Sequence, residues 1–259
     1  MLAIERQRFI LKQLDEKRVV KVQDLVRFLD ASESTIRRDL QELEARHLLR
    51  RLHGGASLIQ PRNQEPDMKE KIAKNSQEKK EIACYAFQLI KENECLFLDA
   101  GTTTFELIPY LEGSNVTVVT NSPFHATALA AHNVDCYVIG GLLKPTTQAV
   151  VGSVALQTLS NFRFDKVFMG VNGIDPQMGF TTPDPEEAGV KRKAVELAAQ
   201  TFVLADSSKF AEVSFCKMFE LSQAIIITDT LPDSSSRAVR ELTKVICTAD
   251  EQDRYGHSN

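Results

Sequence analysis

Several features that mark large classes of protein are missing from this sequence. No apolar run approaches the roughly 18 residues that a membrane-spanning helix needs. Residues 1–18 form a charged amphipathic stretch unlike a secretory signal. Neither an internal repeat nor a low-complexity tract is present. We therefore expect a globular protein that stays in the cytoplasm.

The motifs of common cofactor and metal proteins are missing as well. The five cysteines contain no CxxC pair, and an odd number cannot all pair within one chain. We interpret them as reduced core residues, since free cysteine behaves as a small apolar side chain. The five histidines are dispersed, and no P-loop, GxSxG or HExxH motif occurs. The sequence thus predicts no metal site and no cofactor. The cysteines are Cys84, Cys95, Cys136, Cys216 and Cys247.

Charge is distributed unevenly along the 259 residues, although the formal net charge is only −4. Residues 1–60 hold 12 Lys and Arg against 9 Asp and Glu, and the remainder holds 19 against 26. A chain of this length can build two cores. A protein that binds DNA needs to be basic only on the surface that meets phosphate. We expect two domains, of which the first is basic.

The first domain, at residues 1–59, is predicted from three short helices and a hairpin. Apolar residues recur at helical spacing in two stretches, and a third carries Ile36, Leu40 and Leu43 on one face. The glycine pair Gly54–Gly55 then marks a tight turn between two strand-like segments. This order is typical of a winged helix-turn-helix.

The opposite face of the third helix carries side chains suited to a DNA groove. Arginine can bond guanine in a bidentate way, glutamine can pair with adenine, and hydroxyl groups can bond phosphate or base edges. The alternative is an ordinary solvated helix face. The DNA-binding residues that we predict, with basic residues of the hairpin included, are Ser32, Ser34, Thr35, Arg37, Arg38, Gln41, Arg50, Arg51 and His53.

The rest of the chain has a different pattern. Residues 60–75 are polar and contain prolines, which predicts a linker, and Ser76 is predicted to cap the next helix. Over residues 76–250, seven apolar strand-like runs alternate with helical segments. This alternation indicates a mostly parallel α/β sheet with helices on both faces. Residues 251–259 are expected to fray.

Polar, glycine-containing segments follow several of the predicted strands. Ligands gather at the carboxyl ends of strands in open α/β sheets, so these segments predict a binding site. Backbone N–H groups after Gly101 could hold a phosphate that Lys209 neutralises. The alternatives are ordinary strand-to-helix turns and exposed charge pairs on a helix. The predicted effector-binding residues are Asp99, Gly101, Thr102, Thr103, Thr104, Thr120, Asn121, Gly140, Gly141, Asn172, Gly173, Glu186, Glu187, Lys191, Asp206 and Lys209.

Two motifs of the first domain resemble the signature of the DeoR family of bacterial regulators. They are Thr35–Leu40, which reads TIRRDL, and Arg51 followed by His53–Ala56, which reads HGGA. Residues 76–249 resemble the sensor domain of that family, whose fold is related to ribose-5-phosphate isomerase and the CoA-transferases. The resemblance implies a transcriptional repressor of a sugar-utilisation operon that a phosphorylated sugar releases from its operator.

Within the family, two segments look most like the fructose-operon repressors of the phosphotransferase system. They are Gly179–Glu187 and Asp206–Lys209. The effector that this resemblance implies is fructose 1-phosphate.

Two other functions are compatible with the same residues. Because the second domain resembles an isomerase, Asp99, Glu186 or Glu187 could serve as the base of a sugar-phosphate isomerase. The second domain could instead only oligomerise a constitutive DNA-binding protein. An isomerase, however, needs no DNA-reading segment. We expect at least a homodimer and no membrane partner, since one recognition helix covers few base pairs.

Overall fold

The chain divides into two compact units, Met1–Pro61 and Arg62–Asn259. No described helix is long and apolar enough to span a membrane. The predicted DNA contact of His53 and the predicted tail at 251–259 lie outside the described residues. The computed structural model describes residues 2–17, 19–46, 48–52, 54–57 and 68–250.

The first unit packs three helices beside a small antiparallel sheet of order β1-β3-β2. The predicted hairpin is β2 and β3, whereas the preceding strand β1 was not predicted, because three residues are too few to show a period. In chain order the elements are α1 (Ala3–Lys17), β1 (Val19–Lys21), α2 (Val22–Leu29), α3 (Glu33–Ala45), β2 (Arg50–Leu52) and β3 (Gly55–Ser57).

The predicted core face of α3 is buried. Ile36, Leu40 and Leu43 are at most 2% exposed and pack with apolar residues of α1 and α2. The turn before α3 is short because Asp30 adopts the left-handed conformation, with φ of 47°. Ser32 then caps α3 by accepting a hydrogen bond of 3.3 Å from the backbone N–H of Thr35. The predicted helix-turn-helix is confirmed.

The second unit is built on one seven-stranded sheet. Its helices are α4 (Met68–Ala73), α5 (Ser76–Gln88), α6 (Thr102–Phe105), α7 (Pro123–Ala131), α8 (Ser153–Leu159), α9 (Pro185–Glu196) and α10 (Asp233–Leu242). The strands of the main sheet are β4 (Cys95–Leu98), β5 (Thr117–Thr120), β6 (Asp135–Val138), β9 (Phe164–Met169), β12 (Ala198–Leu204), β14 (Ile225–Thr228) and β15 (Val245–Cys247). The other strands are β7 (Leu142–Leu143), β8 (Val150–Val151), β10 (Gly173–Asp175), β11 (Gly179–Thr182) and β13 (Cys216–Phe219).

All seven predicted strand-like runs lie in the main sheet, whose order is β15-β14-β12-β9-β4-β5-β6. Every pairing in it is parallel. Apolar clusters cover both faces: Phe97 and Val167 belong to one, and Leu96 and Phe168 to the other. The predicted parallel α/β fold is confirmed. The chain adds β5 and β6 on one side of β4 and later places β9 on its other side. The order of the sheet therefore reverses between β4 and β9.

Two small antiparallel sheets were not predicted. One is the β7–β8 hairpin, and the other has the order β10-β11-β13. Their strands are two to four residues long, so each shows too little alternation to be recognised in the sequence.

Two boundaries differ from the prediction. Within the predicted linker, residues 68–73 form α4, because Met68 is buried in the second unit. Ser76 begins α5, but Asn75 occupies the cap position with φ of 53°. α9 ends at Glu196, because Ala198 already pairs with Phe164 in the sheet.

The expectation that all five cysteines are core residues is wrong for two of them. Cys84 and Cys95 are exposed, while Cys247 is buried, and all five are free thiols. Both exposed cysteines belong to elements with an outward side, α5 and the first position of β4.

Candidate functional site

The recognition helix α3 presents its predicted DNA-reading side chains outward. The hydroxyl oxygen of Ser32 lies 2.9 Å from that of Ser34 and 2.8 Å from that of Thr35. These hydroxyls sit beside the N–H groups that the first helical turn leaves without intrahelical partners, an arrangement that can bind phosphate. Thr35 is half-buried, and the exposed members of the set are Ser32, Ser34, Arg37, Arg38 and Gln41.

Arg37 and Arg38 each face a glutamate one helical turn away. Arg37 Nη2 lies 2.7 Å from Glu33 Oε1, and Arg38 Nε lies 3.5 Å from Glu42 Oε1. Exposed ion pairs of this kind contribute only about 0–1 kcal/mol. A phosphate or a guanine edge can therefore replace either glutamate at small cost.

Asp39, which follows the two arginines, has a structural role. It is 2% exposed, and its carboxylate accepts two hydrogen bonds from Arg6 of α1, from Nε at 2.7 Å and from Nη2 at 3.2 Å. This bidentate pair fixes the orientation of α3 relative to α1. The alternative of a wholly solvated face is thus wrong for this residue.

The hairpin places one predicted basic residue outward. Arg51 is exposed on β2, and its backbone N–H donates to Glu44 Oε1 at 2.9 Å. Arg50, its neighbour, is half-buried.

In the second unit, Asp99 is the centre of a buried network where the sheet order reverses. The residue is 1% exposed. Its Oδ1 accepts hydrogen bonds of 3.0 Å from Gly101 N and from Thr104 Oγ1, and its Oδ2 accepts one of 3.1 Å from Gly170 N. Lys191 of α9 forms an ion pair with the same carboxylate and donates to Gly170 O at 2.8 Å. The network joins the segments after β4 and β9 to α9.

The helix after Gly101 is short. α6 covers four residues, and a separate 3₁₀ turn follows at Ile108–Leu111, because Pro109 has no N–H to continue the helix. So short a helix has a small dipole. Thr104 is fully buried and its hydroxyl donates inward to the Asp99 network. The helix dipole therefore adds little to anion binding at this turn, and the predicted contact of Gly101–Thr104 with a phosphate, together with Lys209, stays a prediction.

His125 of α7 completes the support of this turn. Its Nε2 lies 3.0 Å from Gly101 O and 3.3 Å from Thr104 Oγ1, and its Nδ1 lies 2.9 Å from Ser122 Oγ. Burial lowers the pKa of His125 to about 4. The imidazole is therefore neutral near pH 7 and acts as a hydrogen-bonding group. His125 was not predicted as a site residue, because nothing near it in sequence marks its partners.

Four lysines meet the carboxylates at this edge of the sheet, and we call them the lysine cluster: Lys71, Lys79, Lys191 and Lys209. Lys79 is 4% exposed and donates to the backbone oxygen of Lys71. Burial is the largest cause that lowers the pKa of Lys71, to about 8, and it also lowers the pKa values of Lys79 and Lys209.

Electrostatic interactions connect the members of the lysine cluster with nearby carboxylates. The charged groups close enough to change the pKa of Lys71 are Glu187, Lys209, Lys191 and Asp99. The negative charge of Asp206 raises the pKa values of both Lys79 and Lys209, against the larger effect of burial. The predicted residues after β4, in α9 and after β12 therefore share one electrostatic environment. Lys71 and Lys79 were missed because they precede the first strand of the sheet in sequence.

The two predicted glutamates at the start of α9, Glu186 and Glu187, differ in burial. Glu187 is 7% exposed. Its Oε1 accepts a hydrogen bond of 2.7 Å from Thr147 Oγ1 and lies 3.4 Å from Lys144 Nζ. Glu186 is exposed. The alternative of a surface charge therefore fits Glu186 but not Glu187. Lys144 and Thr147, from the loop between β7 and β8, were missed by the sequence analysis.

Other predicted residues mainly hold neighbouring segments in place. Asn121 is 3% exposed and donates to Val150 O at 3.3 Å, while its side-chain oxygen has no hydrogen-bond partner among the described residues. Thr120 Oγ1 accepts from Ser122 N at 3.1 Å. The side-chain oxygen of Asn172 accepts a hydrogen bond of 3.2 Å from Thr182 Oγ1.

One predicted glycine has a backbone role, and two others lie at the surface. A Cβ on Gly173 would lie 2.2 Å from Glu212 O, so only glycine fits. Gly140 and Gly141 are exposed beyond β6, the outer strand of the sheet. Their position favours a turn role over direct contact with a ligand.

Comparison with known proteins decides the family. A model of the DeoR-like helix-turn-helix domain matches residues 6–62, and a model of the DeoR C-terminal sensor domain matches residues 74–230. The chain belongs to the DeoR family of transcriptional regulators.

Relatives in the DeoR family cover nearly the whole chain. An uncharacterized HTH-type transcriptional regulator named FruR, from Bacillus subtilis, is 43% identical over 95% of this chain and 98% of its own length. The regulator GlpR of Haloferax volcanii is 36% identical over 92% and 94%. A putative aga operon transcriptional repressor of Escherichia coli O157:H7 is 34% identical over 92% and 90%.

Solved structures similar to this DeoR-family chain include isomerases. A D-ribose-5-phosphate isomerase in complex with phospho-erythronic acid matches with a TM-score of 0.41 and 17% identity. The match covers 52% of this chain and 54% of the isomerase, so the chain spans about half of that structure.

The isomerase alternative does not hold for this DeoR-family protein, whose relatives are named as regulators. The proposed base Asp99 already accepts hydrogen bonds from two backbone N–H groups and a hydroxyl and pairs with Lys191. A carboxylate so engaged has little capacity left to remove a proton from a sugar. The chain is a DNA-binding transcriptional regulator.

Proposed function

We propose that this regulator represses a sugar-utilisation operon and that a phosphorylated sugar, with fructose 1-phosphate as the first candidate, releases it from its operator. The lysine cluster is the observation that carries the proposal. A phosphate dianion in a partly buried site needs charge-assisted donors, and clustered lysines supply them. No cofactor takes part in this scheme, and the regulator works in the cytoplasm beside its DNA.

The carboxylates at the same edge suit the rest of a sugar. Asp206 lies beside Lys209, and sugar hydroxyls are donors that a carboxylate can accept from. The site also lies where the strand order reverses, which is the common ligand position in such sheets. The segment Gly179–Thr182 is less informative about the sugar, since it forms the buried strand β11.

Binding and release can be tested together. An operator is first selected from random-sequence DNA with the full-length protein, and its affinity is measured with fructose, fructose 1-phosphate or fructose 6-phosphate present. We expect a phosphorylated fructose, but not fructose, to weaken operator binding through a coupling of about 1–3 kcal/mol, or about 5–150-fold. Equal effects of free and phosphorylated fructose would contradict the proposal, and no effect of any of them would favour a constitutive DNA-binding protein.

Lys209 gives the matched variant. In Lys209→Ala we expect the ratio of operator affinities with and without sugar phosphate to fall towards one, because the anion loses a donor. Lys244→Ala is the control, since Lys244 is exposed just before β15, at the opposite edge of the sheet. A normal ratio in Lys209→Ala would remove this lysine from the proposed site.

We also propose that the regulator is a homodimer or larger, assembled partly through β6 and the β7–β8 hairpin. As the outer strand of the sheet, β6 leaves Tyr137 and Val138 exposed on its two sides, and Leu142, Leu143 and Val154 are exposed nearby in sequence. Exposed apolar side chains gathered around an outer strand are candidates for a protein interface. Light scattering should show a dimer or larger that Leu142→Glu weakens and Leu242→Glu, an exposed leucine of α10, does not. A monomer with full operator affinity would contradict it.

A further inference from the structure

The outer side of α9 carries a stripe of charged residues that a glycine interrupts. Residues three or four apart share one side of a helix, and here that side reads acid, glycine, base, base and acid. The last acid, Glu196, pairs with Lys193 at 3.1 Å within the same helix. The members of this stripe, which we call the outer stripe, are Glu186, Gly189, Arg192, Lys193 and Glu196.

The glycine of the outer stripe has no packing reason within the second unit. Glycine is a poor helix former, and Gly189 lies in the interior of α9. A Cβ added to it would meet no described atom within 4 Å beyond the backbone of its own helix. The position therefore has room for a side chain that the sequence does not supply.

Gly189 also borders open space that another helix could enter. It lines a groove of about 460 Å³ between α8 and α9, and the α8 wall of the groove comes from Leu156, Gln157 and Ser160. A glycine at such a place allows the backbone of a second element to come close to the helix. The groove and the glycine together indicate a docking surface for a helix.

The charges of the outer stripe indicate which helix fits. Glu186 and Arg192 lie three residues before and three residues after Gly189, about 4.5 Å along the axis in each direction. Both are exposed, and within the part of the chain that the structure describes neither forms an ion pair. Arg192 is positioned by a hydrogen bond of 2.8 Å from its Nη1 to the backbone oxygen of Lys217. The stripe is therefore complementary in charge to a copy of itself that runs in the opposite direction.

We infer that α9 of a second copy of this chain packs antiparallel on α9, with the two glycines at the crossing point. Glu186 of each copy then lies opposite the partner subunit's Arg192, and two-fold symmetry makes this contact twice. Glycine at the crossing allows the two axes to approach to the short end of the usual 8–10 Å. The inference rests on the proposed function only in that the regulator self-associates, and it uses other residues than β6 and the β7–β8 hairpin.

The test reverses the two charges in separate full-length variants. Glu186→Arg and Arg192→Glu should each weaken self-association about ten-fold or more, because each places like charges opposite one another at both contacts. An equimolar mixture of the two variants should associate as strongly as the wild type, because every contact between different variants then joins opposite charges. Analytical ultracentrifugation of each variant and of the mixture measures these effects.

Two further sets of variants serve as controls. Arg237→Glu and Glu241→Arg reverse an exposed pair of α10, and they should change association neither alone nor mixed. Gly189→Leu should weaken association by filling the crossing point. Its circular dichroism spectrum should match the wild type, since leucine favours a helix more than glycine does.

The outcomes separate this inference from the proposed function. Recovery on mixing supports the antiparallel contact. Charge variants that associate normally overturn it, and so do variants that weaken association without recovery on mixing, because a different surface would then lie opposite α9. The contact through β6 and the release by a sugar phosphate are judged separately, by Leu142→Glu and by operator affinity. A wild-type protein that stays monomeric overturns both proposed contacts and leaves the proposed effector standing.

Discussion

The two units of this regulator hold the cations of their candidate binding sites in opposite ways. In the DNA-binding unit, Arg37 and Arg38 are exposed, and the ion pairs that they form among the described residues are with glutamates of their own helix. In the sensor unit, Lys79 and Lys191 are buried, and Lys191 is tied to Asp99, which comes from a different element. The first arrangement suits a long polyanion that approaches from solvent, because little must be desolvated. The second suits a small anion that is selected by an enclosed site.

The exposed and the buried cations also differ in how much they contribute to folding stability. Exposed cations can be removed with little effect on folding, since surface pairs contribute little to stability. Buried cations support folding and binding together, because removing one leaves its partner as an uncompensated charge. Substitutions should therefore separate the two functions cleanly in the first unit and much less cleanly in the second.

The largest effect is expected from Lys191→Met. It leaves Asp99, 1% exposed, without its cation, and breaking a buried pair in this way costs about 3–5 kcal/mol. Urea denaturation followed by circular dichroism measures the loss. The double variant Asp99→Asn with Lys191→Met should recover much of the stability. A single variant as stable as the wild type would show that the pair does not support the fold.

The next largest effect is a loss of stability at acidic pH, caused by His125. The pKa of His125 is about 4 in the folded protein, mainly through burial, against 6.5 when exposed. Between these values the unfolded state binds more protons, so the sensor unit should lose stability as pH falls from 6.5 to 4, by about 3 kcal/mol in total.

Urea denaturation as a function of pH measures this loss. His125→Gln should flatten the pH dependence, because it removes the buried group whose pKa differs between the folded and unfolded states. Identical profiles for the wild type and His125→Gln would remove His125 as the cause.

A smaller and more selective effect is expected at α3. Arg37→Ala or Arg38→Ala should weaken operator binding by about 1–3 kcal/mol and, where the arginine reads a base, relax sequence preference at one position. Both variants should keep wild-type stability and bind the effector normally. Lys12→Ala, which removes an exposed cation of α1, is the charge control for fluorescence anisotropy titrations. Unchanged operator binding in both arginine variants would mean that α3 does not read DNA.

The sequence was sufficient for the large elements of both units. Each strand of the main sheet is a run of apolar residues between polar segments, and α3 repeats its apolar residues at helical spacing, so a local period reveals each of them. β1, β7 and β10 were missed because two or three residues carry no period, and they form strands only because a partner strand lies beside them.

The candidate site was harder to predict for a related reason. Asp99 and Lys209 follow strands, and the rule about carboxyl ends of strands is enough to find them. Lys71 and Lys79 precede every strand of the sheet, so only the folded chain shows that α4 and α5 bring them to the same edge. For Asp39 the sequence suggests the wrong environment. A charged residue beside two arginines is expected in solvent, but Asp39 is buried and paired with Arg6, which depends on tertiary structure.

The reversal of strand order between β4 and β9 also has a consequence for how the protein folds. Leu96 pairs with Lys166, so on the ribosome β4 emerges long before its inner neighbour, and one edge of that strand stays unpaired while β5 and β6 are added. Contacts between residues so distant in sequence form slowly, and unpaired strand edges favour aggregation. The first unit is formed by residues 1–61 and finishes translation early. We therefore expect refolding from denaturant to show a fast phase for the first unit and a slower, concentration-sensitive phase in which β9 completes the sheet.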